Sequence, residues 1–264
     1  MDRSEESTAV KVVLVQPDLV WQEPKSNMEL LEAMMLPYAG KGDVFVLPEM
    51  FLSGFTMNTA RMAVGKDDLL LRRLKDLSRQ LKGIIAGSII YTEKGKYYNR
   101  FLWISPDGKT GHYDKRHLFR MGEEDRNFSP GRERMVFRYG SFRFLPQVCY
   151  DLRFPVFARY RGDYDVLVYV ANWPENRQHV WETLLKARAL ENQCYVIGVN
   201  RTGNDGEGIG YRGGSCVLSP TGHLLAWLDN QPGTILTSLS LSSLNEFRDG
   251  FPVWKDADDF TLSQ

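Results

Sequence analysis

Short β-branched runs alternate with stretches whose apolar residues fall three and four apart, so strands and amphipathic helices should follow one another along the chain. Lys11-Val12-Val13-Leu14-Val15-Gln16 reads as a buried strand closed by Pro17-Asp18. Ser26 to Leu36 places Met28, Leu31, Met34 and Met35 at helical spacing, and Pro37, Gly40 and Gly42 then end it. Asp43 to Leu47 is a second strand that delivers Pro48-Glu49-Met50-Phe51. From Asp67 to Leu81 leucines take one side and Arg72, Arg73, Lys75 and Arg79 mostly the other, an amphipathic helix with a solvated charged face. Ile84 to Tyr91 and Tyr97 to Ile104 are strands, followed by the tight turn Ser105-Pro106-Asp107-Gly108. His112 to Phe119 is expected to open a second half.

That second half repeats the first. Phe142 to Cys149 is a strand, a short helix follows, and Asp165 to Val170 is a strand ending in Ala171-Asn172-Trp173-Pro174. A long helix from His179 to Glu191 leads to strands at Tyr195 to Val199 and Gly214 to Leu218, and Ser219-Pro220-Thr221-Gly222 matches the earlier turn. The order β-α-β-α-β-β plus turn occurs twice, too few times for a solenoid. Each half can cover one sheet face with its own helices, and the remaining faces must cover each other. The expected fold is therefore α/β, a four-layer α-β-β-α sandwich with an internal pseudo-twofold duplication. Without a Pro/Gly/Ser-rich linker, residues 1–264 read as one domain. From Leu224 one or two more strands are expected. A tail over about 240–264 carries the apolar cluster Phe251-Pro252-Val253-Trp254, which should pack on the home core or on a partner subunit.

Composition narrows the function. Thirty-three basic and 33 acidic residues give a formal net charge of zero, which argues against a general nucleic-acid or anionic-membrane surface. Cys149, Cys194 and Cys216 are too widely and irregularly spaced for a disulfide framework or a zinc site, and nothing in the pattern calls for a metal or cofactor. Met1 to Thr8 is polar, without an apolar signal core, and no apolar run is long enough to span a bilayer. The expectation is a reduced, cytoplasmic protein.

In open α/β sheets ligands gather beyond the carboxyl ends of strands, and ionisable groups stand at or beside three such ends. Cys149 closes one strand ahead of the helix-like segment Phe154 to Tyr160, whose N-terminal field would favour a thiolate. A cysteine taken alone is more often a buried core thiol, and Cys194 and Cys216, in or beside strands, read that way. Glu49 follows a proline at another strand end, and Lys115 lies between Tyr113 and Phe119. Singly these are ordinary loop residues; together a carboxylate can activate the thiol and an ammonium can stabilise an oxyanion. His117 and His179 are read as capping or surface residues, and Asp151 as a brace for the turn after Cys149. Gly203 to Gly214 is read as a flexible loop near the pocket.

These stretches resemble the nitrilase superfamily, the C–N hydrolases, in all three motifs: Leu47-Pro48-Glu49-Met50-Phe51, Tyr113-Asp114-Lys115-Arg116-His117-Leu118-Phe119 and Val148-Cys149-Tyr150-Asp151-Leu152-Arg153-Phe154-Pro155. Glu49-Met50-Phe51 running into Ser53-Gly54-Phe55-Thr56-Met57, with the closing Phe251-Pro252-Val253-Trp254, is most similar to the omega-amidase group. The resemblance implies the same sandwich, usually in dimers, and a small-molecule amide substrate. It also implies a second glutamate after the lysine; Glu123 and Glu124 both stand there, and spacing to Pro130-Gly131 favours Glu124. It implies that Glu49 deprotonates Cys149 and that Lys115, with the backbone N–H of Tyr150, holds the oxyanion. A thioester then forms and water releases the acid. Phe51, Tyr150, Arg153, Asn172 and Trp173 are the candidate substrate-binding residues. Arg153 and Asn172 are the groups read as holding the free carboxylate of a 2-oxo-dicarboxylic acid monoamide such as 2-oxoglutaramate or 2-oxosuccinamate. The triad does not separate amide from nitrile or carbamoyl hydrolysis. A non-catalytic thiol-bearing binding or redox-sensing protein is a further alternative, and an intact Glu–Lys–Cys set counts against it.

Overall fold

The computed structural model describes residues 8–262, so the polar N-terminal segment lies, but for Thr8, outside the described residues. The first half runs β1 (Ala9–Gln16), α1 (Pro24–Met35), β2 (Val44–Val46), α2 (Thr59–Met62), α3 (Leu69–Leu81), β3 (Ile84–Glu93), β4 (Lys96–Ile104) and β5 (Thr110–Asp114). The short α4 (Glu124–Asn127) intervenes. The second half runs β6 (Phe137–Tyr139), β7 (Phe142–Val148), α5 (Pro155–Ala158), β8 (Val166–Ala171), α6 (Gln178–Asn192), β9 (Tyr195–Asn200), β10 (Thr202–Asn204), β11 (Gly210–Arg212), β12 (Cys216–Leu218) and β13 (Leu224–Trp227). β14 (Gly233–Ser240) and α7 (Leu241–Gly250) follow.

Two six-stranded sheets result, ordered β14-β1-β2-β3-β4-β5 and β6-β7-β8-β9-β12-β13. In each, three parallel strands are followed by two antiparallel ones, and an antiparallel edge strand flanks the first parallel strand. The duplication expected from the sequence is thus present strand for strand. Its two turns close alike: Gly108 N–H bonds the Ser105 carbonyl and Gly222 N–H the Ser219 carbonyl, each at 2.9 Å. Both glycines have φ near +80° (85° and 76°), where a side chain would be strained.

Two boundaries differ from the pattern reading. His112 to Asp114 does not open the second half; it belongs to β5, which the Ser105–Gly108 turn folds back onto β4 as the edge of the first sheet. β14 crosses back from the end of the chain to pair with β1 over its whole length, from Ala9↔Ser240 to Gln16↔Gly233. A local pattern cannot announce such a pairing, because the partners lie more than two hundred residues apart.

The central strands are apolar on both faces, as strands buried on both sides should be. On the inner faces Val12, Leu14, Val44, Val46, Phe101 and Trp103 of the first sheet meet Phe144, Val148, Val166, Val168, Val170 and Ile197 of the second in one core. Outside the first sheet, Val13, Phe45, Ile85 and Leu102 pack against Met28, Leu31, Leu74 and Leu77 of α1 and α3. Leu167, Tyr169 and Val196 pack likewise against Trp181, Leu185 and Ala189 of α6. The order of layers is helix, sheet, sheet, helix. α3 starts where the Asp68 side chain accepts the Leu70 N–H at 2.8 Å.

The tail is anchored at its start. Arg248 in α7 is buried and donates to Asp165 Oδ1 (3.1 Å), the Tyr164 carbonyl (3.1 Å) and the Gln193 carbonyl (2.9 Å). Trp254 meets Tyr160 edge to face, while Phe251 is 62% exposed.

Candidate active site

β2 runs parallel to β1 and β3 in one sheet and β7 parallel to β8 in the other, and Glu49, Cys149 and Asn172 follow the carboxyl ends of β2, β7 and β8. After β2 the chain turns at Met50, whose φ of 45° is unusual for a residue with a side chain. Gly87 of β3 permits the turn: a Cβ there would sit 2.8 Å from Leu47 Cβ and 2.9 Å from Phe51 Cδ1. Cys149 shows the same left-handed backbone, with φ 46°. Asp151 closes that turn by accepting the Val148 N–H at 2.9 Å. The same buried carboxylate accepts the Tyr113 hydroxyl (2.9 Å) and the His117 N–H (3.0 Å), and meets His117 Nδ1 at 2.8 Å. Asp151 therefore does brace the turn, and it also ties the cysteine segment to the lysine segment.

Lys115 follows β5, its N–H held by the Asn99 carbonyl and its carbonyl by the Gly131 N–H, both at 2.9 Å. Its ammonium is fully buried and sits 2.8 Å from Glu49 Oε1, and 3.0 and 2.8 Å from the two oxygens of Glu124. Burial by itself would lower the lysine's proton affinity; Glu124 and Glu49 outweigh it, and the ammonium is held above its usual range. Glu124 is pushed up from the carboxylate range by burial and by Glu49, against the pull of Lys115 and Asn99. Glu123, the adjacent candidate, points outward to Arg126 and is 62% exposed. Glu49 Oε2 accepts the Asn172 N–H at 2.9 Å, which links the first sheet to the second.

Above this cluster opens a cavity of about 390 Å³ lined by aromatic residues, with Cys149 and Lys115 reaching it from below. Tyr150, Arg153, Asn172 and Trp173 all line it. Phe51 does not. It is fully buried between the first sheet and its helices, because the turn at Met50 sends it back toward the core, and it is not a substrate contact. Asn172 lines the cavity, and one hydrogen of its Nδ2 is held by the Glu49 carbonyl at 2.6 Å. Arg153 is exposed at the rim, its guanidinium 5.2 Å from the Trp173 ring centroid. The glycine-dense stretch is a paired hairpin, β10 with β11, that brings Ile209 and Tyr211 to the cavity. Pattern reading missed Asn99, Phe55, Arg177 and Tyr211. Arg177 stands two residues before His179, and only the path of the chain into α6 brings it to the wall.

Cys149 is partly exposed through the cavity, while Cys194 and Cys216 are buried. Enclosure of the sulfur, and then the Glu49 charge, push the Cys149 thiol well above its ordinary value. Lys115 only partly offsets them. This runs against the expectation of a thiolate stabilised by the helix-like segment from Phe154: Cys149–Arg153 is only a short 3₁₀ helix, α5 is a single turn that begins six residues beyond the sulfur, and two carboxylates act on the thiol. A thiol shifted in this direction depends on a neighbouring base before it can act as a nucleophile. Iodoacetamide should label Cys149 before Cys194 and Cys216. Without substrate, its rate should climb through the alkaline range beyond the free-cysteine value of about 8.5. A thiolate plateau near neutral pH would contradict this.

The carbon–nitrogen hydrolase family profile matches residues 11–249. The chain is 45% identical over 255 residues to the omega-amidase YafV of Escherichia coli K12, covering 96% of this chain and 98% of that one. It is 29% identical to the 2-oxoglutaramate amidase of Bacillus subtilis 168, over 92% of this chain and 95% of that protein. Its fold is similar to that of the crystal structure of XC1258 from Xanthomonas campestris, a CN-hydrolase superfamily protein with an arsenic adduct in its active site. That likeness has a TM-score of 0.94 at 39% identity and covers 97% of this chain and 99% of the other. With its α-β-β-α sandwich and a family match running from β1 into α7, this chain belongs to the carbon–nitrogen hydrolase family.

Proposed function

We propose that the protein is an omega-amidase: it hydrolyses the terminal amide of a short 2-oxo-dicarboxylic acid monoamide to the acid and ammonia, through a thioester on Cys149. The observation that carries this reading is a partly exposed thiol on the floor of a cavity beside a buried Glu49–Lys115–Glu124 cluster. Glu49 takes the thiol proton as sulfur bonds to the amide carbon, and the carbonyl oxygen becomes an oxyanion. Lys115 has three N–H bonds to give. One serves Glu49, one is shared by the two Glu124 oxygens, and the third is left for the oxyanion, together with the Tyr150 N–H. As the C–N bond breaks, Glu49 returns the proton to nitrogen and ammonia leaves. Water, deprotonated by Glu49, attacks the thioester; the acid departs and the sulfur regains its proton. Glu124 keeps Lys115 charged and holds the Phe119 N–H at 2.7 Å.

Substrate choice follows from the charges around the cavity. Among the described residues that line it, the charged ones are Lys115, Arg153 and Arg177, all cations. No ion pair is formed by Arg153 or Arg177 among the described residues. A substrate carboxylate meets unpaired guanidinium groups there, while an α-ammonium finds no acid to receive it. Since Arg153 is exposed, its contribution is that of a charged hydrogen bond, about 1.5–3 kcal/mol, rather than that of a buried ion pair. The cluster Phe251, Val253 and Trp254, each more than a third exposed, supports a homodimer in this reading.

The test is ammonia release from 2-oxoglutaramate and 2-oxosuccinamate against neutral amides of similar length and against L-glutamine. Both 2-oxo substrates should lead in kcat/KM by about ten- to hundredfold. Arg153→Ala and Arg177→Ala should each remove most of that lead while sparing neutral amides. Equal turnover of neutral amides would overturn the omega-amidase reading and leave C–N hydrolysis standing. Sedimentation equilibrium should give twice the chain mass of 30.3 kDa, and a monomer at micromolar concentration would contradict the dimer.

A further inference from the structure

We infer that Asn99, oriented by Ser88, is a positioning residue of the site: its amide bridges the two glutamates and sets the carboxylate of Glu49 that faces Cys149. The inference rests on the hydrolase reading above and goes beyond the Glu–Lys–Cys set.

Asn99 lies in β4 and is fully buried. Its Nδ2 gives one hydrogen to Glu49 Oε1 at 2.8 Å and the other to Glu124 Oε1 at 2.9 Å. The two N–H bonds of a primary amide lie in one plane at a fixed angle, so they set the spacing of the carboxylates as a flexible ammonium does not. The direction of the amide is itself determined. Ser88 Oγ accepts the Met50 N–H at 3.0 Å, and a backbone N–H can only donate. The hydroxyl hydrogen is then left for Asn99 Oδ1, 2.8 Å away. The acceptor end of the amide therefore faces Ser88 and the donor end faces the glutamates.

These bonds close a ring. It starts at the backbone beside Glu49, passes through Ser88 and Asn99, and returns to the Glu49 carboxylate. Met50 is held with φ 45° inside it, a conformation that persists only where its surroundings over-determine it. The Asn99 main-chain carbonyl also accepts the Lys115 N–H, so one residue touches Glu49, Lys115 and Glu124.

The chemistry explains why an amide stands here. Two buried carboxylates and one ammonium leave one surplus negative charge. Asn99 supplies two donors to it without adding a cation that would compete with Lys115 for the oxyanion. The titratable groups facing the amide are Glu49, Glu124 and Lys115; from the second half Cys149 acts on both carboxylates and Tyr211 on Glu49. A hydrogen bond to an ionised carboxylate favours that form, and loss of the Asn99 amide removes two such bonds.

Asn99→Leu, similar in shape but without donors, should lower kcat on 2-oxoglutaramate by about tenfold or more, the value of charge-assisted hydrogen bonds, with KM nearly unchanged. The acid limb of its kcat–pH profile should move upward by about one unit. Ser88→Ala, which frees the amide to turn, should give a smaller change in the same direction and decides the matter if the Asn99 variant does not fold. The rate of Cys149 alkylation against pH, which needs no substrate, should shift in both variants. Folded variants with wild-type kcat, an unmoved acid limb and unmoved alkylation would overturn the inference. If the wild type releases ammonia from no amide, the hydrolase reading fails instead, and the alkylation profiles still decide the role of Asn99.

Discussion

One buried ammonium governs this site. Lys115 is enclosed between Glu49 and Glu124 with every side chain of the three fully buried, and burying an ion costs several kcal/mol even after relaxation. That cost is met only while both carboxylates and their hydrogen bonds are in place. Losing one partner of a buried pair typically costs about 3–5 kcal/mol, more than most surface interactions contribute. The segments after β2 and β5 and the start of α4 are thus compelled to close together. A cation aimed at the cavity floor follows from that closure.

The duplicated architecture divides the chemistry. The first half supplies Glu49, Asn99, Lys115 and, just beyond it, Glu124; the second supplies Cys149 and Asn172. Glu49 and Asn172 end matched strands of the two halves and meet face to face, the Asn172 N–H on the carboxylate and its side chain on the Glu49 carbonyl. The placing of Glu49 against Asn172 is therefore set by the fit of one sheet against the other. The apolar core of Val46, Phe101, Val148 and Val170 between them supports this registration.

Much of this was legible in the chain. Runs such as Val12 to Val15 and Val166 to Val170, and the paired Ser-Pro-x-Gly turns, carry the layers and the repeat, because period and turn chemistry are local. Glu49, Lys115 and Cys149 were legible because ionisable groups at strand ends are out of character with a core. Contacts made by register were not. Asn99 looks like any polar residue on a strand until β4 lies between β3 and β5, and Arg177 needs the turn into α6. Phe51 was misplaced because its direction depends on the positive φ of Met50, which no residue type there announces. The helix field at Cys149 was overestimated because a motif shows the order of elements but not that two carboxylates act on the thiol.

The account stands on the thioester at Cys149, and partitioning with hydroxylamine tests it most directly. A thioester divides between water and hydroxylamine after the amine has gone. The ratio of hydroxamate to acid should therefore be the same whether 2-oxoglutaramate or its N-methyl amide is the substrate, although their rates differ. The Cys149→Ala protein should form neither product. A ratio that changes with the leaving amine, or hydrolysis that persists without the Cys149 sulfur, would contradict the account.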